Sequence, residues 1–389
     1  MAEEYIEWHS LPHDLQAAFF QEAEKESQIM AERILQVSKL LKEAADFISP
    51  HLRRLVMGER SYLVSAVDGS RSPLLSERLG VRYGVFSVGA VLVRGLDRLE
   101  EILKAGVFKR RQALSRDVSK HFFDLLMTNA ERTLALEILD KCDLVLIDGS
   151  FTGFLYHSLR IRADELGDMV KNLVVDTFQK TVKLMESGKA IAVVKRSPSK
   201  AIGGYLVLRD GRTDIPYTLM LDKFILSFLM PAQTIFYYDD FLGTAHPISY
   251  YNAVASLSQR HTSVREIERE ATKDIYAPFI RFDVAKETLG KLSRIQVKFF
   301  DSTPVCEIEY PREMTSEKLE EWLGQPYFAN AGTGLPVALD LVDSLVNIPS
   351  KFTDEFVGEV EARTLARLNG SGAKALKLFF SYLNPQKPI

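Results

Sequence analysis

The sequence predicts an α/β protein in which a mixed sheet is flanked by helices, and two observations carry this prediction. Apolar runs rich in β-branched residues alternate along the chain with segments whose apolar residues recur every three or four positions. The tripeptide Asp-Gly-Ser also occurs twice, at 68–70 and 148–150, each time directly after such an apolar run. In open α/β sheets, functional side chains gather at the carboxyl ends of the strands. We therefore expect Asp68 and Asp148 to meet at one edge of a sheet.

The predicted elements begin with a helical arm and continue as strands and helices. Residues 12–57 have apolar residues at helical spacing with charged residues between them. We expect this arm to occupy 1–58 and a second domain to occupy 59–389. The elements predicted after the arm are, in chain order, strands at 61–68, 81–93 and 99–108, a helix from Leu114 to about Lys141, a strand at 143–148, a helix near 164–187 and a strand at 190–195.

This order of three strands, a helix, a strand, a helix and a strand is that of a ribonuclease H-like core. We expect the core at about 60–200, with C-terminal elaborations at about 201–389 that complete the site. The first and fourth strands of such a core lie side by side and run parallel, joined by a right-handed crossover. The alternative is a general α/β sheet in which each Asp-Gly-Ser is only a turn, because all three residues favour turns.

The helix before the fourth strand supplies a third candidate acid. At helical spacing, Glu131 shares its face with apolar residues that include Met127 and Ile138. A carboxylate buried without a partner is costly, and is usually paired, protonated or bound to a metal. Glu137 shares its helix face with polar residues and is the alternative. We prefer Glu131 as the acid that joins the two aspartates.

Three carboxylates without a neighbouring histidine or cysteine favour a hard divalent cation, Mg²⁺ or Mn²⁺, over zinc. Two such ions about 4 Å apart can activate a water and stabilise the leaving oxygen of a phosphoryl displacement. The chemistry implied is hydrolysis of a phosphodiester bond. Cys142 and Cys306 are the only cysteines. We therefore expect neither a disulfide framework nor a cysteine-based zinc site, and a reducing, cytoplasmic setting is the default.

A net charge of −3 over 389 residues gives no general basic surface, so a nucleic acid would have to bind a local patch. Lys195 ends an apolar strand and is a candidate for contacting the scissile phosphate, with a solvated strand exit as the alternative. The other candidate DNA contacts are Arg110, Arg111, Arg196 and Lys200. Aromatic residues at 235–241 and 248–252 are expected in the core or at a dimer interface rather than stacked on unpaired bases.

Several segments of the chain resemble the NurA nuclease family, repair nucleases that work with the hexameric HerA ATPase. The doubled Asp-Gly-Ser in this order is the most specific part of the resemblance, which spans roughly 60–350. The matching segments are VSAVDGSRSP at 64–73, NAERTLALEIL leading into DLVLIDGSF, AVVKRS at 192–197, LDKFILSFLMPAQT at 221–234 and GLPVALDLVDSLVNI at 334–348.

The resemblance implies a dimeric, Mn²⁺-dependent nuclease with a ribonuclease H-like fold, Mg²⁺ being the alternative ion. Such an enzyme cuts single-stranded DNA internally, degrades DNA ends from 5′ to 3′, and serves end resection in recombinational repair. By position, Asp68, Glu131 and Asp148 match the family's two aspartates and its helix glutamate. The family has a late Ala-His pair whose histidine belongs to the metal site, and this chain has Val342-Asp343 there. Asp343 is therefore a candidate ligand, with a solvated helix face as the alternative.

Partners follow from the same resemblance. No Walker A motif GxxxxGK[ST] occurs, so a motor for DNA translocation would come from a HerA-type ring ATPase, on which we expect a homodimer to dock. Two other functions stay open, an actin- or sugar-kinase-like phosphotransferase that uses ATP and a catalytically weak scaffold that docks DNA onto the ATPase. No uninterrupted apolar stretch of about 18 residues occurs, and no membrane association is expected.

Overall fold

The computed structural model describes residues 11–110, 119–161, 163–261, 263–368 and 372–382. The chain divides into two compact units, residues 1–51 and residues 52–389. The described part of the first unit consists of helix α1 and a short 3₁₀ turn at Ser49–His51. The second unit contains the sheet and the other described helices.

Helix α1 runs from His13 to Ile48 and ends earlier than the sequence predicts. Pro50 has no N–H group to donate to the preceding helical turn, so the α-helical hydrogen bonding cannot continue. Leu52–Arg54 form strand β1 of the second unit, and the prediction of helix over these residues is wrong. Large apolar side chains are exposed along α1, among them Leu15, Ile29, Met30, Ile34 and Leu35.

The second unit alternates strands and helices along the chain. Its strands are β1 (Leu52–Arg54), β2 (Leu63–Arg71), β3 (Ser76–Glu77), β4 (Arg82–Arg94), β5 (Asp97–Arg110), β6 (Leu144–Asp148), β7 (Ala190–Val194), β8 (Thr234–Tyr237), β9 (Leu292–Lys298) and β10 (Cys306–Pro311). Its α-helices are α2 (Ser119–Ile138), α3 (Gly153–Ser158), α4 (Ala163–Glu186), α5 (Ala201–Asp210), α6 (Asp222–Leu229), α7 (Tyr238–Leu242), α8 (Ile248–Leu257), α9 (Val264–Phe282), α10 (Ser316–Leu323), α11 (Val337–Val346), α12 (Phe352–Arg367) and α13 (Ala373–Phe380). Residues 111–118, where the predicted helix before β6 was expected to begin, lie outside the described part of the chain.

The ten described strands form one mixed sheet in the order β1-β8-β9-β10-β7-β6-β2-β4-β3, with β5 also paired to β4. Strand β6 runs parallel to both β2 and β7, whereas the other described pairings are antiparallel. This confirms the three strands predicted at 61–68, 81–93 and 99–108, which pair as a meander of β2, β4 and β5, and the predicted parallel pairing of the first and fourth strands. Strands β8, β9 and β10 extend the same sheet beyond β7, so the C-terminal part adds to the sheet rather than forming another.

Helices cover both faces of this sheet. On one face, α10 and α11 pack in a cluster that includes Val64 and Leu146. On the other face, α2 and α4 pack in a cluster that includes Val67 and Val145. Successive residues of β2 and β6 thus point to opposite helical layers, as strand geometry requires. This two-sided burial fixes β2, β6 and β7 in the sheet, with their carboxyl ends at one edge.

The aromatic segments lie in the core, since Phe236, Tyr238 and Tyr250 are at most 3% exposed. Cys142 and Cys306 are both free and buried. None of the helices in the described ranges combines the length and apolar character needed to cross a membrane.

Candidate active site

Three charged residues lie where the parallel pairing of three neighbouring strands ends. The parallel pairing of β2 with β6 ends at Val67 and Ile147, so Asp68 is the first residue beyond it. Asp148 is the last residue of β6, and Lys195 comes directly after β7. Because the carboxyl ends of parallel strands meet at one edge, these three side chains come together.

The ammonium group of Lys195 lies among three carboxylates. Its Nζ is 3.3 Å from Asp148 Oδ2 and 3.6 Å from Asp68 Oδ2. It is also 3.4 Å from Oδ1 of Asp343, which belongs to α11 and is 67% exposed. The Lys195 side chain itself is only 21% exposed, so it is turned toward the acids rather than into solvent. The structure therefore brings four of the predicted site residues into one cluster.

Glu131 approaches the same edge from α2, which packs on the sheet face opposite α11. It is buried, and its carboxylate lies against Gly69 so closely that a Cβ added to Gly69 would stand 2.5 Å from Glu131 Oε1. The first Asp-Gly-Ser therefore requires glycine for space. The alternative acid, Glu137, lies on the surface and forms an ion pair with Lys104.

Burial, together with repulsion between neighbouring carboxylates, disfavours the charged forms of Asp68 and Glu131. Burial raises the pKa of Asp68 to about 8, with the Asp148 and Glu131 carboxylates adding to the rise. Burial also raises the pKa of Glu131 to about 7, although the neighbouring Arg132 guanidinium opposes this. Burial of Lys195 acts to lower its pKa, but the surrounding carboxylates outweigh that effect and raise the pKa. The cluster would accordingly be stabilised by an added cation.

In the second Asp-Gly-Ser the chain leaves the sheet after Asp148, and two buried charged side chains hold the loop that follows. Gly149 has a φ of 83°, a left-handed conformation that favours glycine. Glu309 of β10 accepts hydrogen bonds from Ser150 Oγ at 2.9 Å and from the next backbone N–H at 2.7 Å. Arg132 of α2 donates from Nη2 to the Ser150 carbonyl at 3.2 Å. Asp148 is thus followed by an anchored loop.

The loop after Lys195 is anchored by a second buried acid, Asp222. This carboxylate accepts hydrogen bonds from Ser199 Oγ at 2.7 Å and from the Ala201 N–H at 2.8 Å. Burial raises the pKa of Asp222 to about 6. The adjacent Lys223 donates from Nζ to the Lys195 carbonyl at 2.9 Å. The backbone at and beyond Lys195 is therefore fixed by contacts from α6.

A cavity of about 1050 Å³ lies beside the acids. The site residues among its lining are Glu131, Asp148, Lys195 and Asp343. Arg196 and Lys200 also line it, so two of the candidate DNA contacts face the same space as the acids. Arg110 ends β5, but its side chain, like Arg111, lies outside what the structure describes.

The donor set has the chemistry of a hard-cation site. In the described ranges, no group of three or more histidine, cysteine, aspartate or glutamate side chains has the geometry of a formed metal site. The Lys195 ammonium instead contacts both Asp68 and Asp148, where a cation would lie. The available donors are carboxylate oxygens, which suit Mg²⁺ and Mn²⁺. The chemistry of these donors therefore fits such an ion.

Sequence reasoning does not identify Arg132, Asp222 or Glu309. In β10, Glu307 and Glu309 alternate with apolar residues, a pattern typical of a solvated strand face. Both are nevertheless at most 2% exposed, because Arg294 of the neighbouring strand binds them. The sequence did contain a signal for Arg132, because this residue directly follows Glu131, an acid that the sequence predicts to be buried.

Comparison with known proteins shows which protein family the chain matches. Residues 62–348 match the family model described as the NurA domain. The NurA nuclease from Sulfolobus solfataricus has a similar structure, with 17% identity and a TM-score of 0.53 over 89% of this chain and 97% of that chain. A solved NurA bound to dAMP and manganese is 15% identical over 90% of this chain and 97% of that chain, with a TM-score of 0.41. No curated protein gave a significant sequence match. Because the NurA model covers both Asp-Gly-Ser tripeptides and every element that supplies the acid cluster, this chain belongs to the NurA family.

Proposed function

We propose that this protein is a metal-dependent deoxyribonuclease that hydrolyses phosphodiester bonds at the acid cluster. The observation that carries the proposal is the convergence of Asp68, Glu131 and Asp148 beside Lys195 and a large cavity. Membership of a family that includes a solved nuclease supports the same reaction.

The three buried or half-buried acids are the proposed metal ligands, and Asp343 is a fourth carboxylate at the exposed side of the cluster. A bound Mn²⁺, or Mg²⁺ as the alternative, would supply an activated water and a counter-charge for the leaving oxygen. The raised pKa values of Asp68 and Glu131 support this assignment, because burial and neighbouring carboxylates disfavour the charged acids and a bound cation would offset both effects.

The basic residues of the cavity are the proposed contacts to DNA. The Lys195 Nζ lies within 3.6 Å of two of the acids, so it can reach a phosphate held there and offset the developing charge. Arg196 and Lys200 line the same cavity and are proposed to hold neighbouring phosphates of the strand. Arg110 and Arg111 remain proposed contacts on the basic run at 108–121.

The strand order β5-β4-β2-β6-β7 supports the proposal of a ribonuclease H-like core at about 60–200, completed by residues 201–389. We further propose single-stranded endonuclease activity and 5′ to 3′ exonuclease activity, used in DNA end resection during recombinational repair. Family membership supports both proposals.

We also propose that two copies form a homodimer through the arm at 1–58 and dock on a HerA-type hexameric ATPase in the cytoplasm. The exposed apolar side chains of α1 support an association surface, and the sequence has no Walker A motif of its own. Light scattering should give twice the mass of one chain, and ATP should accelerate duplex resection only when the ATPase is present. A stable monomer, or ATP hydrolysis by this chain alone, would contradict the arrangement.

The proposed reaction is tested with end-labelled single-stranded and duplex DNA, incubated with Mn²⁺, Mg²⁺ or EDTA. We expect cleavage with a divalent cation and none with EDTA. Asp68→Ala and Asp148→Ala should each lower the rate by at least about 100-fold, the usual cost of losing a charge-stabilising group. Both variants should keep the wild-type fold by circular dichroism, because ligands at strand ends contribute little to the core.

Two results would argue against the nuclease. Cleavage that persists in EDTA would show that the reaction does not require a metal ion. DNA binding without cleavage under every ionic condition would instead favour a scaffold that docks DNA onto the ATPase.

A further inference from the structure

Strand β10 carries two neighbouring buried acids with different contacts. Arg294 binds both, donating from Nε to Glu309 Oε2 at 2.7 Å and from Nη1 to Glu307 Oε1 at 2.8 Å. Only Glu309 also reaches the candidate active site, because its Oε1 accepts hydrogen bonds from Ser150 Oγ and from the following backbone N–H. The second oxygen of Glu307 instead accepts a hydrogen bond from Gln296 at 2.5 Å.

The loop held by Glu309 begins at Asp148. Only Gly149 separates Asp148 from Ser150, and glycine restricts the backbone less than any other residue. The Asp148 backbone is paired with Val193 of β7, and the Gly149 N–H donates to the Val193 carbonyl at 2.9 Å. Glu309 therefore holds the first residues of the loop beyond this pairing. Arg132 strengthens this anchor through its hydrogen bond to the Ser150 carbonyl. In the first tripeptide strand pairing extends over all three residues, since β2 stays paired with β4 to its last residue.

We propose that Glu309 is a positioning residue for Asp148, and that its hold on Ser150 sets the affinity of the acid cluster for a divalent cation. The inference rests on the proposed metal-dependent function. Glutamine cannot replace Glu309, because the two carboxylate oxygens separately serve the loop and Arg294, whereas an amide has one acceptor oxygen.

The test is Mn²⁺ binding by the full chain without DNA, followed through the electron paramagnetic resonance signal of free Mn²⁺. Glu309→Gln should weaken binding by at least about 10-fold, as expected for a group that orients a metal ligand. Glu307→Gln is the matched control, because it removes a carboxylate from the same arginine at similar depth but does not touch the loop. We expect it to bind Mn²⁺ as the wild type does.

A gentler variant covers the case in which Glu309→Gln fails to fold, which its melting curve would show. Ser150→Ala removes one hydrogen bond and no charge, and should weaken Mn²⁺ binding by a smaller factor than Glu309→Gln. Wild-type affinity in this variant would then overturn the inference.

Equal Mn²⁺ affinity in folded Glu309→Gln and Glu307→Gln would also overturn the inference, because the contact between Glu309 and the loop would then make no difference to metal binding. If the wild type itself binds no Mn²⁺, the proposed function fails and the inference fails with it. The wild-type titration thus separates the two failures.

Discussion

The two Asp-Gly-Ser tripeptides have the same sequence but different surroundings. Residues 68–70 stay within β2, whose pairing with β4 continues to Arg71. Asp148 ends β6, and Gly149 and Ser150 lead from the strand toward α3. The side chain of Asp68 is 6% exposed, whereas that of Asp148 is 27% exposed. Even so, both carboxylates reach the same ammonium group.

The glycines of the two copies also serve different purposes. Gly69 leaves room for the Glu131 carboxylate and has no positive φ, whereas Gly149 has a positive φ and no atom within 4 Å of an added Cβ. One copy is thus constrained by space and the other by conformation. A repeated motif can therefore mark where acids meet without showing how each backbone is held.

The largest expected effect concerns the acid that packs against the first tripeptide. Glu131→Gln should lower DNA cleavage by at least about 100-fold, because a carboxylate next to the reacting phosphate is lost. Glu137→Gln is the control on the same helix, and should cleave normally because Glu137 pairs with Lys104 at the surface. Steady-state cleavage with Mn²⁺ measures both. The opposite ranking would show that Glu137 serves the site.

Substituting alanine for either glycine of the tripeptides should have a smaller effect, and the two substitutions should differ in cause. In Gly69→Ala the new Cβ would collide with Glu131 Oε1, and we expect overpacking to cost about 1–3 kcal/mol while cleavage also falls. In Gly149→Ala the cost is backbone strain of about 1–2 kcal/mol, and Glu131 stays in place. Urea unfolding and cleavage rates should be measured on both. If cleavage falls equally in the two variants, the distinction between space and conformation does not hold.

The smallest effect is a pH dependence of stability in EDTA. The pKa of Asp68 is about 8 in the folded chain and about 3.9 in an unfolded one. The folded state therefore retains a proton that the unfolded state has lost, and the stability from this group falls as pH rises through that interval. Asp68→Asn has no carboxyl group to titrate at this position. The melting temperature of the variant minus that of the wild type should therefore increase from pH 4 to pH 8. A constant difference over this range would contradict the raised pKa.

The sequence predicted the centre of the sheet better than the side-chain network around it. Alternation and β-branching indicated β2, β4, β5 and β6, because their burial follows directly from local pattern. The helical periodicity of residues 12–57 gave the wrong end for α1, since Pro50 overrides it. Glu309 was missed because its burial depends on Arg294 of another strand, and a long-range ion pair leaves no local signal.

The sequence likewise predicted only part of how the acids are placed. Glu131 could be singled out from helix phase, which is a local property. That Lys195 would lie among Asp68, Asp148 and Asp343 depends on the order of strands and on α11, which is far away in the chain. Only the assembled sheet brings these residues together.

We expect the two tripeptides to serve one catalytic centre, and a double-mutant cycle can show whether they do. Single-turnover DNA cleavage with Mn²⁺ should be measured for the wild type, Asp68→Asn, Asp148→Asn and the double variant. Residues that act as one unit are strongly non-additive. We expect each single variant to lose at least about 100-fold and the double variant to be no slower than the slower single variant. A double variant whose loss equals the product of the two single losses would show two independent sites and contradict the account.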